Sequence, residues 1–203
     1  MRSLNSAKFF VIFNNIICRF AIECSVIGLI IPICIALILP LEAQDTYGTI
    51  SDFTLTTSEN SAFKKNEMQG KIWLAHTFFT SCPSVCPTII ADIKNLISGI
   101  PEKDRPSVMS ITVNPQTDSI ERLTDYRIKR GLKDYNWKLL TGSQNEIDSF
   151  LENGLRLPGT EGNPDAHSPR IVLIDKESQI RGYYLATDQM DLKRLKDDLF
   201  RLI

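Results

Sequence analysis

The stretch that decides the fold is Lys71-Ile72-Trp73-Leu74-Ala75-His76-Thr77-Phe78-Phe79, followed two residues later by Cys82-Pro83-Ser84-Val85-Cys86-Pro87. The first part is rich in aromatic and apolar residues, which is typical of a central β-strand. After the second part, isoleucines recur at helical spacing up to Ile100, and this pattern predicts an amphipathic helix. The two cysteines are therefore predicted at the point where a strand passes into a helix.

The spacing of this C-x-x-x-C pair allows two kinds of chemistry. Residues four apart on a helical turn share one face, with Cβ atoms about 5–6 Å apart. Both sulfurs can then reach one metal ion, or they can join as a disulfide after a small backbone adjustment. At a helix N-terminus we expect a lowered thiol pKa and partial thiolate character near neutral pH. Thiolates are soft ligands that suit Cu(I), zinc or iron–sulfur clusters.

The rest of the chain alternates between strand and helix patterns. We predict strands over residues 52–56, 71–79, 108–113, 137–140, 170–174 and 179–184. Helices are predicted after the cysteines, over 120–129, from a capping box at 143–146 to 151, and from about 188 to the end. Residues 154–169, with glycine and proline at intervals, are predicted as a loop or hairpin. This order indicates an α/β, thioredoxin-like fold with a mixed central sheet flanked by helices.

The first 44 residues differ from the remainder. Residues 24–41 carry no charge and are mostly apolar. A helix that crosses a bilayer needs about 17–25 apolar residues, and this segment lies at the lower end of that range. Positive charges before this span and acids after it place the N-terminus in the cytoplasm. We therefore predict an N-terminal transmembrane anchor in 1–44 and an exported domain in 45–203. Cleavage near Leu41-Glu42-Ala43 by signal peptidase is the alternative.

Charge and cysteine usage narrow the function. The net charge of −1 provides no electrostatic case for nucleic acid binding. Three cysteines, Cys18, Cys24 and Cys34, lie in or beside the apolar segment, where a thiol behaves as a small hydrophobe. Cys82 and Cys86 are then the exported domain's only cysteines. A disulfide that closes so short a loop adds little stability, so the pair makes better sense as a working site.

Two histidines are present as candidate further ligands. His76 lies in the middle of the predicted strand, and we expect it to be packed there. His167 lies where the irregular loop meets a strand, in Asp165-Ala166-His167-Ser168-Pro169. Loops carried on a rigid sheet are where functional sites concentrate. A single loop histidine is nevertheless usually solvated, so these residues alone leave a ligand role for His167 open.

Several segments together resemble the SCO/SenC family of copper-handling proteins. The main one is Phe78-Phe79-Thr80-Ser81-Cys82-Pro83-Ser84-Val85-Cys86-Pro87-Thr88. The other matching segments occur in the same order as in the family. They are residues 52–56, 110–118 and 140–142, followed by His167-Ser168 and Ile171-Val172-Leu173-Ile174-Asp175. The likeness runs from about residue 49 to the C-terminus, behind a predicted anchor of the kind that the family usually has.

This resemblance implies that one copper ion binds through Cys82, Cys86 and His167. Two thiolates and one imidazole form a three-coordinate site that suits Cu(I), so we expect Cu(I) to be favoured over Cu(II). It implies a metallochaperone that assists assembly of the binuclear copper centre of cytochrome c oxidase subunit II, by delivering copper, by reducing that subunit's cysteines, or both. The implied partners are subunit II and an upstream copper donor or thiol reductant. The implied location is a bacterial inner membrane, single-pass with the domain outside the cytoplasm, or alternatively the mitochondrial inner membrane.

Two positions depart from the family pattern. Asn114 stands where members usually have aspartate before a proline, and Ala166 stands where many have aspartate before the histidine. Carboxylates help to hold a dication and often orient a ligating histidine. We therefore expect weaker Cu(II) binding here than in members that keep both acids, with less effect on Cu(I).

Other interpretations of the cysteine pair remain. A metal-independent thiol–disulfide oxidoreductase would use Cys82 and Cys86 as a redox-active pair, although its usual spacing is one residue shorter. A structural zinc site normally has four protein ligands, and these candidates provide three. An inert disulfide in a partner-binding module is a further possibility. A peroxiredoxin-like peroxidase fits poorly, because no threonine and arginine are placed as that active site requires.

Overall fold

A seven-stranded mixed sheet forms the centre of the domain in the computed structural model, which describes residues 46–83 and 85–203. The strands are Thr54–Thr57 (β1), Ala62–Lys64 (β2), Trp73–Phe78 (β3), Ser107–Thr112 (β4), Trp137–Thr141 (β5), Arg170–Ile174 (β6) and Ile180–Leu185 (β7). Their spatial order is β2-β1-β5-β4-β3-β6-β7. The predicted α/β, thioredoxin-like fold is confirmed.

Four α-helices pack on this sheet within the described residues. They are Val85–Ser98 (α1), Ile120–Lys129 (α2), Gln144–Ser149 (α3) and Gln189–Leu202 (α4). The predicted capping box is present: the Ser143 hydroxyl accepts from the Glu146 backbone N–H, and the Glu146 carboxylate accepts from that of Ser143. The helix predicted to reach residue 151 instead passes into a π-helical turn, Phe150–Gly154.

The strand directions place the two halves of the candidate site at one edge of the sheet. Parallel pairs join β3 to β4 and β4 to β5, whereas β6 runs antiparallel to both β3 and β7. The end of β3, which leads to the cysteines, therefore lies beside the beginning of β6, which follows His167. The three-residue strand β2 was not predicted, because a strand of that length carries no periodic signal.

Both faces of the sheet are covered, which explains why every residue of β3, including His76 and Thr77, is buried rather than every second one. Leu74 and Phe78 point to a core shared with α1, α2 and α4. Trp73 and Ala75 point to the opposite core, which includes α3.

The predicted N-terminal anchor, its signal-peptidase alternative and the three cysteines within it lie outside the described residues, and the boundary at residue 44 stays a prediction. Over 46–83 and 85–203, none of the helices has the combined length and hydrophobicity needed to span a bilayer.

Candidate metal centre

The two cysteines of the motif are buried and in contact. The turn after β3 is closed by the Cys82 backbone N–H, which donates to the Phe79 carbonyl at 3.2 Å. The backbone N–H of Cys86, in the first turn of α1, donates to the Cys82 sulfur at 3.4 Å. Cys82 is 8% exposed and Cys86 is fully buried, and both are thiols in this structure. The passage from strand to helix thus places the two cysteine side chains next to each other and away from solvent.

Burial changes the acidity of Cys86 in the direction opposite to the expectation. Removal from water, together with the neighbouring Cys82 thiol, raises the pKa of the Cys86 thiol to about 12. Hydrogen bonds with the backbone of Phe79 and of Cys86 itself lower it, but by less. The pKa lowering predicted from the helix N-terminus is therefore wrong for Cys86, because desolvation outweighs these backbone hydrogen bonds. Cys86 therefore keeps its proton at neutral pH in the reduced, copper-free protein.

A buried carboxylate, Asp118, fixes the loop that carries Cys82. It accepts hydrogen bonds from the Thr80 backbone N–H at 3.0 Å, from the Thr80 hydroxyl, and from the Thr112 hydroxyl at 2.6 Å. The side chain of Asp118 is fully buried, and Arg122 lies 4.0 Å away at the surface. The loop before Cys82 is thereby tied to the end of β4. The sequence analysis did not identify this role, since no local pattern relates residues 80 and 118.

The two positions that depart from the family pattern lie in surface turns. Asn114 is partly buried just beyond β4, and its carbonyl accepts from the backbone N–H groups of Thr117 and Asp118. Ala166 is exposed and ends the 3₁₀ turn Pro164–Ala166 directly before His167. Neither residue has a carboxylate, so neither can supply one to the candidate ligands.

His167 lies three residues before β6 and is held against the end of β3. Its Nδ1 is 3.1 Å from the Thr77 hydroxyl and 3.4 Å from the Ser168 carbonyl. The ring of Phe79 packs edge-to-face on the imidazole, with 5.7 Å between centroids. Partial burial lowers the pKa of His167, while the Ser168 carbonyl and Asp165 act in the opposite direction. The neutral imidazole, which is the ligating form, is thus favoured.

His76 is a packed strand residue, as predicted. Its Nδ1 donates to the Thr77 carbonyl at 3.1 Å, and its Nε2 accepts from the Ser110 hydroxyl at 2.6 Å. The Trp137 indole N–H in turn donates to Ser110 at 2.8 Å. Burial lowers the pKa of His76 to about 4, so this ring is neutral at physiological pH. All its hydrogen-bonding capacity is used inside the core.

The structure joins two of the three predicted ligands and brings the third to the same edge of the sheet. Cys82 and Cys86 touch, and the β3–β6 pairing carries His167 to the strand end from which the cysteine loop departs. Within residues 46–83 and 85–203, no cluster of three His, Cys, Asp or Glu side chains is close enough to hold a metal ion. The ligand set Cys82, Cys86 and His167 stays a prediction. As a donor set, two thiolates and one imidazole fit Cu(I).

Comparison with known proteins identifies a family. The SCO1/SenC family model matches residues 42–203 of this chain. A Bacillus subtilis SCO1 protein homolog is 29% identical over 103 residues, an alignment that covers 50% of this chain and 53% of that protein. The present chain thus matches about half the length of this relative.

Solved structures show the same fold. The SCO1/SenC family lipoprotein of Bacillus anthracis superposes with a TM-score of 0.68 and 27% identity, covering 76% of this chain and 95% of its own. BsSco, described as having a disulfide switch and as a member of the Sco family of cytochrome c oxidase assembly proteins, has a TM-score of 0.67 at 22% identity, covering 79% and 97%. Copper-bound ScoI of Bradyrhizobium japonicum has a TM-score of 0.57 at 21% identity, covering 76% and 99%.

Proposed function

This chain belongs to the SCO1/SenC family, and from that premise we propose that it is a membrane-anchored copper metallochaperone for assembly of the binuclear copper centre of cytochrome c oxidase. The observation that carries the proposal is the contact between the Cys82 sulfur and the Cys86 backbone N–H at the strand end that also receives His167. Copper is the cargo of such a protein, bound and then released to a client.

The donor chemistry supports copper in its reduced state. Cys82 and Cys86 offer two soft sulfurs and His167 one imidazole nitrogen, a set that suits three-coordinate Cu(I) better than a hard dication. Asn114 and Ala166 stand where many members carry acids, so neither of these two positions supplies a carboxylate ligand. Copper binding in the Bradyrhizobium relative supports copper as the metal, and the description of BsSco supports a role in oxidase assembly.

The same thiols connect copper binding with redox state. Copper needs both sulfurs as thiolates, so binding displaces the Cys86 proton. Exchange with a client disulfide would transfer two electrons and two protons to the client, leaving a reduced client dithiol and a Cys82–Cys86 disulfide. That disulfide cannot bind copper. Delivery of copper and reduction of the client's cysteines are therefore two uses of one site.

The proposed partners and location follow the family. The client is subunit II of cytochrome c oxidase, and an upstream copper donor or thiol reductant restores the site. The domain lies outside the cytoplasm on a bacterial inner membrane, or alternatively on the mitochondrial inner membrane. Membrane fractionation, with alkaline washing to separate integral from peripheral protein, tests the anchor: recovery of the chain in the soluble fraction would contradict it.

Titration of the reduced full-length chain with Cu(I), in competition with a chromogenic chelator, tests the ligand assignment. We expect one tightly bound copper in the wild type and loss of tight binding in Cys82→Ser, Cys86→Ser and His167→Ala. His76→Gln is the matched histidine control and should keep its copper, since His76 is enclosed in the core. Stoichiometric copper in either cysteine variant would contradict the assignment.

A metal-independent thiol–disulfide oxidoreductase is the second candidate, favoured by the contact between two buried cysteines. His167→Ala separates the two functions. A metallochaperone loses copper in this variant, whereas an oxidoreductase keeps its rate of thiol–disulfide exchange with a model disulfide. If the wild type binds no copper but exchanges disulfides rapidly, the second function replaces the first.

A further inference from the structure

Thr77 contacts both histidines of the chain, one through its backbone and the other through its side chain. Its backbone carbonyl accepts from Nδ1 of His76, inside the core. Its hydroxyl contacts Nδ1 of His167, at the edge of the sheet. Thr77 itself is buried in β3, so its hydroxyl has no access to bulk water as an alternative partner.

The hydrogen bonds of this hydroxyl determine which nitrogen of His167 carries the proton. A threonine hydroxyl has a single proton, and Thr77 donates it to the Ser168 carbonyl at 2.8 Å. Towards His167 Nδ1, at 3.1 Å, the same oxygen can then only accept. The Ser168 carbonyl, 3.4 Å from Nδ1, is also only an acceptor. Both neighbours are satisfied when Nδ1 carries the proton, which leaves the lone pair on Nε2.

We propose that Thr77 is a positioning residue for His167: its hydroxyl holds the neutral imidazole as the Nδ1–H tautomer and presents Nε2 as the ligand atom. The edge-to-face contact with Phe79 restricts the ring further. This inference rests on the proposed function, in which His167 is a copper ligand. A ligating histidine is normally held in this way by a partner on its other nitrogen.

Nitrogen NMR of the reduced, copper-free full-length chain tests the tautomer directly. Only two imidazoles are present, so a long-range ¹H–¹⁵N spectrum contains two ring systems, and His167→Ala assigns them. We expect a protonated Nδ1 and an unprotonated Nε2 in His167 of the wild type. A protonated Nε2 in the wild type would overturn the inference.

Two substitutions separate positioning from packing. Thr77→Val keeps the shape but removes the hydroxyl, so His167 should become a mixture of tautomers and Cu(I) affinity should fall about 10-fold or more. Thr77→Ser keeps the hydroxyl and should preserve both the wild-type spectrum and the affinity. A wild-type tautomer in Thr77→Val, or loss of the tautomer in Thr77→Ser, would refute the role of the hydroxyl.

The outcome is distinguishable from failure of the proposed function. If His167→Ala keeps full Cu(I) affinity, His167 is not a ligand and the proposed function fails in this part, whatever the NMR spectrum shows. If His167→Ala loses copper while Thr77→Val changes neither the tautomer nor the affinity, the proposed function stands and only the inference about Thr77 is wrong.

Discussion

Replacing His76 by glutamine should change how the stability of the domain depends on pH. Burial lowers the pKa of His76 from 6.5 to about 4. The unfolded chain, with the higher pKa, therefore binds more protons than the folded one between these values. The free energy of unfolding consequently falls as the pH falls from about 6.5 to about 4, and the loss is complete below that window.

The magnitude follows from the size of the shift. A difference of about 2.5 pKa units, at 1.36 kcal/mol per unit, corresponds to about 3 kcal/mol of stability that is present at pH 7 and lost by pH 4. The pKa of His167 is lowered too, so this residue contributes to the wild-type slope with the same sign. His76→Gln cannot titrate, and the difference in slope between the two proteins isolates the contribution of His76.

Urea unfolding of the copper-free, reduced full-length chain between pH 8 and pH 4 measures this difference. The only two tryptophans, Trp73 and Trp137, are buried, so their fluorescence reports the folded domain. His76→Gln loses the Nδ1–H donor to the Thr77 carbonyl and should be less stable than wild type at pH 7. The gap between the two proteins should close by about 3 kcal/mol as the pH is lowered to 4.

Parallel stability curves for wild type and His76→Gln across this range would refute the reasoning. Such a result would mean that His76 is able to accept a proton in the folded state without cost. A second variant, His167→Ala, serves as the comparison. It should reduce the slope by less than His76→Gln does, because His167 is only partly buried.

Three further predictions follow from the site. Asp118→Asn should lower the free energy of unfolding by roughly 2–3 kcal/mol and speed alkylation of Cys82 by iodoacetamide, because hydrogen bonds to a buried carboxylate are lost. Unchanged stability and alkylation would contradict the role of Asp118 in holding the Thr80 loop. Because the Cys86 pKa is about 12, copper binding displaces its proton, and apparent Cu(I) affinity should rise at least about tenfold per pH unit between pH 6 and 8. A pH-independent affinity would argue against this proton release. Asn114→Asp should tighten Cu(II) binding more than Cu(I) binding in parallel titrations. If the wild type already binds Cu(II) tightly and the substitution does not improve it, the expected effect of the missing acid is contradicted.

The parts of the fold that the sequence predicted correctly are those with local signals. The helix Ile120–Lys129 and the strand Arg170–Ile174 begin and end where their patterns predict, and Ser143 caps the following helix as its motif requires. Periodicity and capping act over a few residues, so they can be recognised without tertiary contacts. The π-helical turn after Ser149 has no comparable signal in the sequence.

The sequence by itself determined the C-x-x-x-C pair, its place between a strand and a helix, and the family resemblance that made His167 a candidate ligand. Only the tertiary structure decided the state of these groups. The Cys86 proton is retained because packing excludes water from the sulfur. The position at a helix start, taken alone, predicts the opposite direction for the pKa. Thr77 faces His167 because antiparallel pairing of β3 with β6 brings together residues 90 positions apart. Solvent exclusion and strand register depend on the whole chain, so a local pattern cannot contain them.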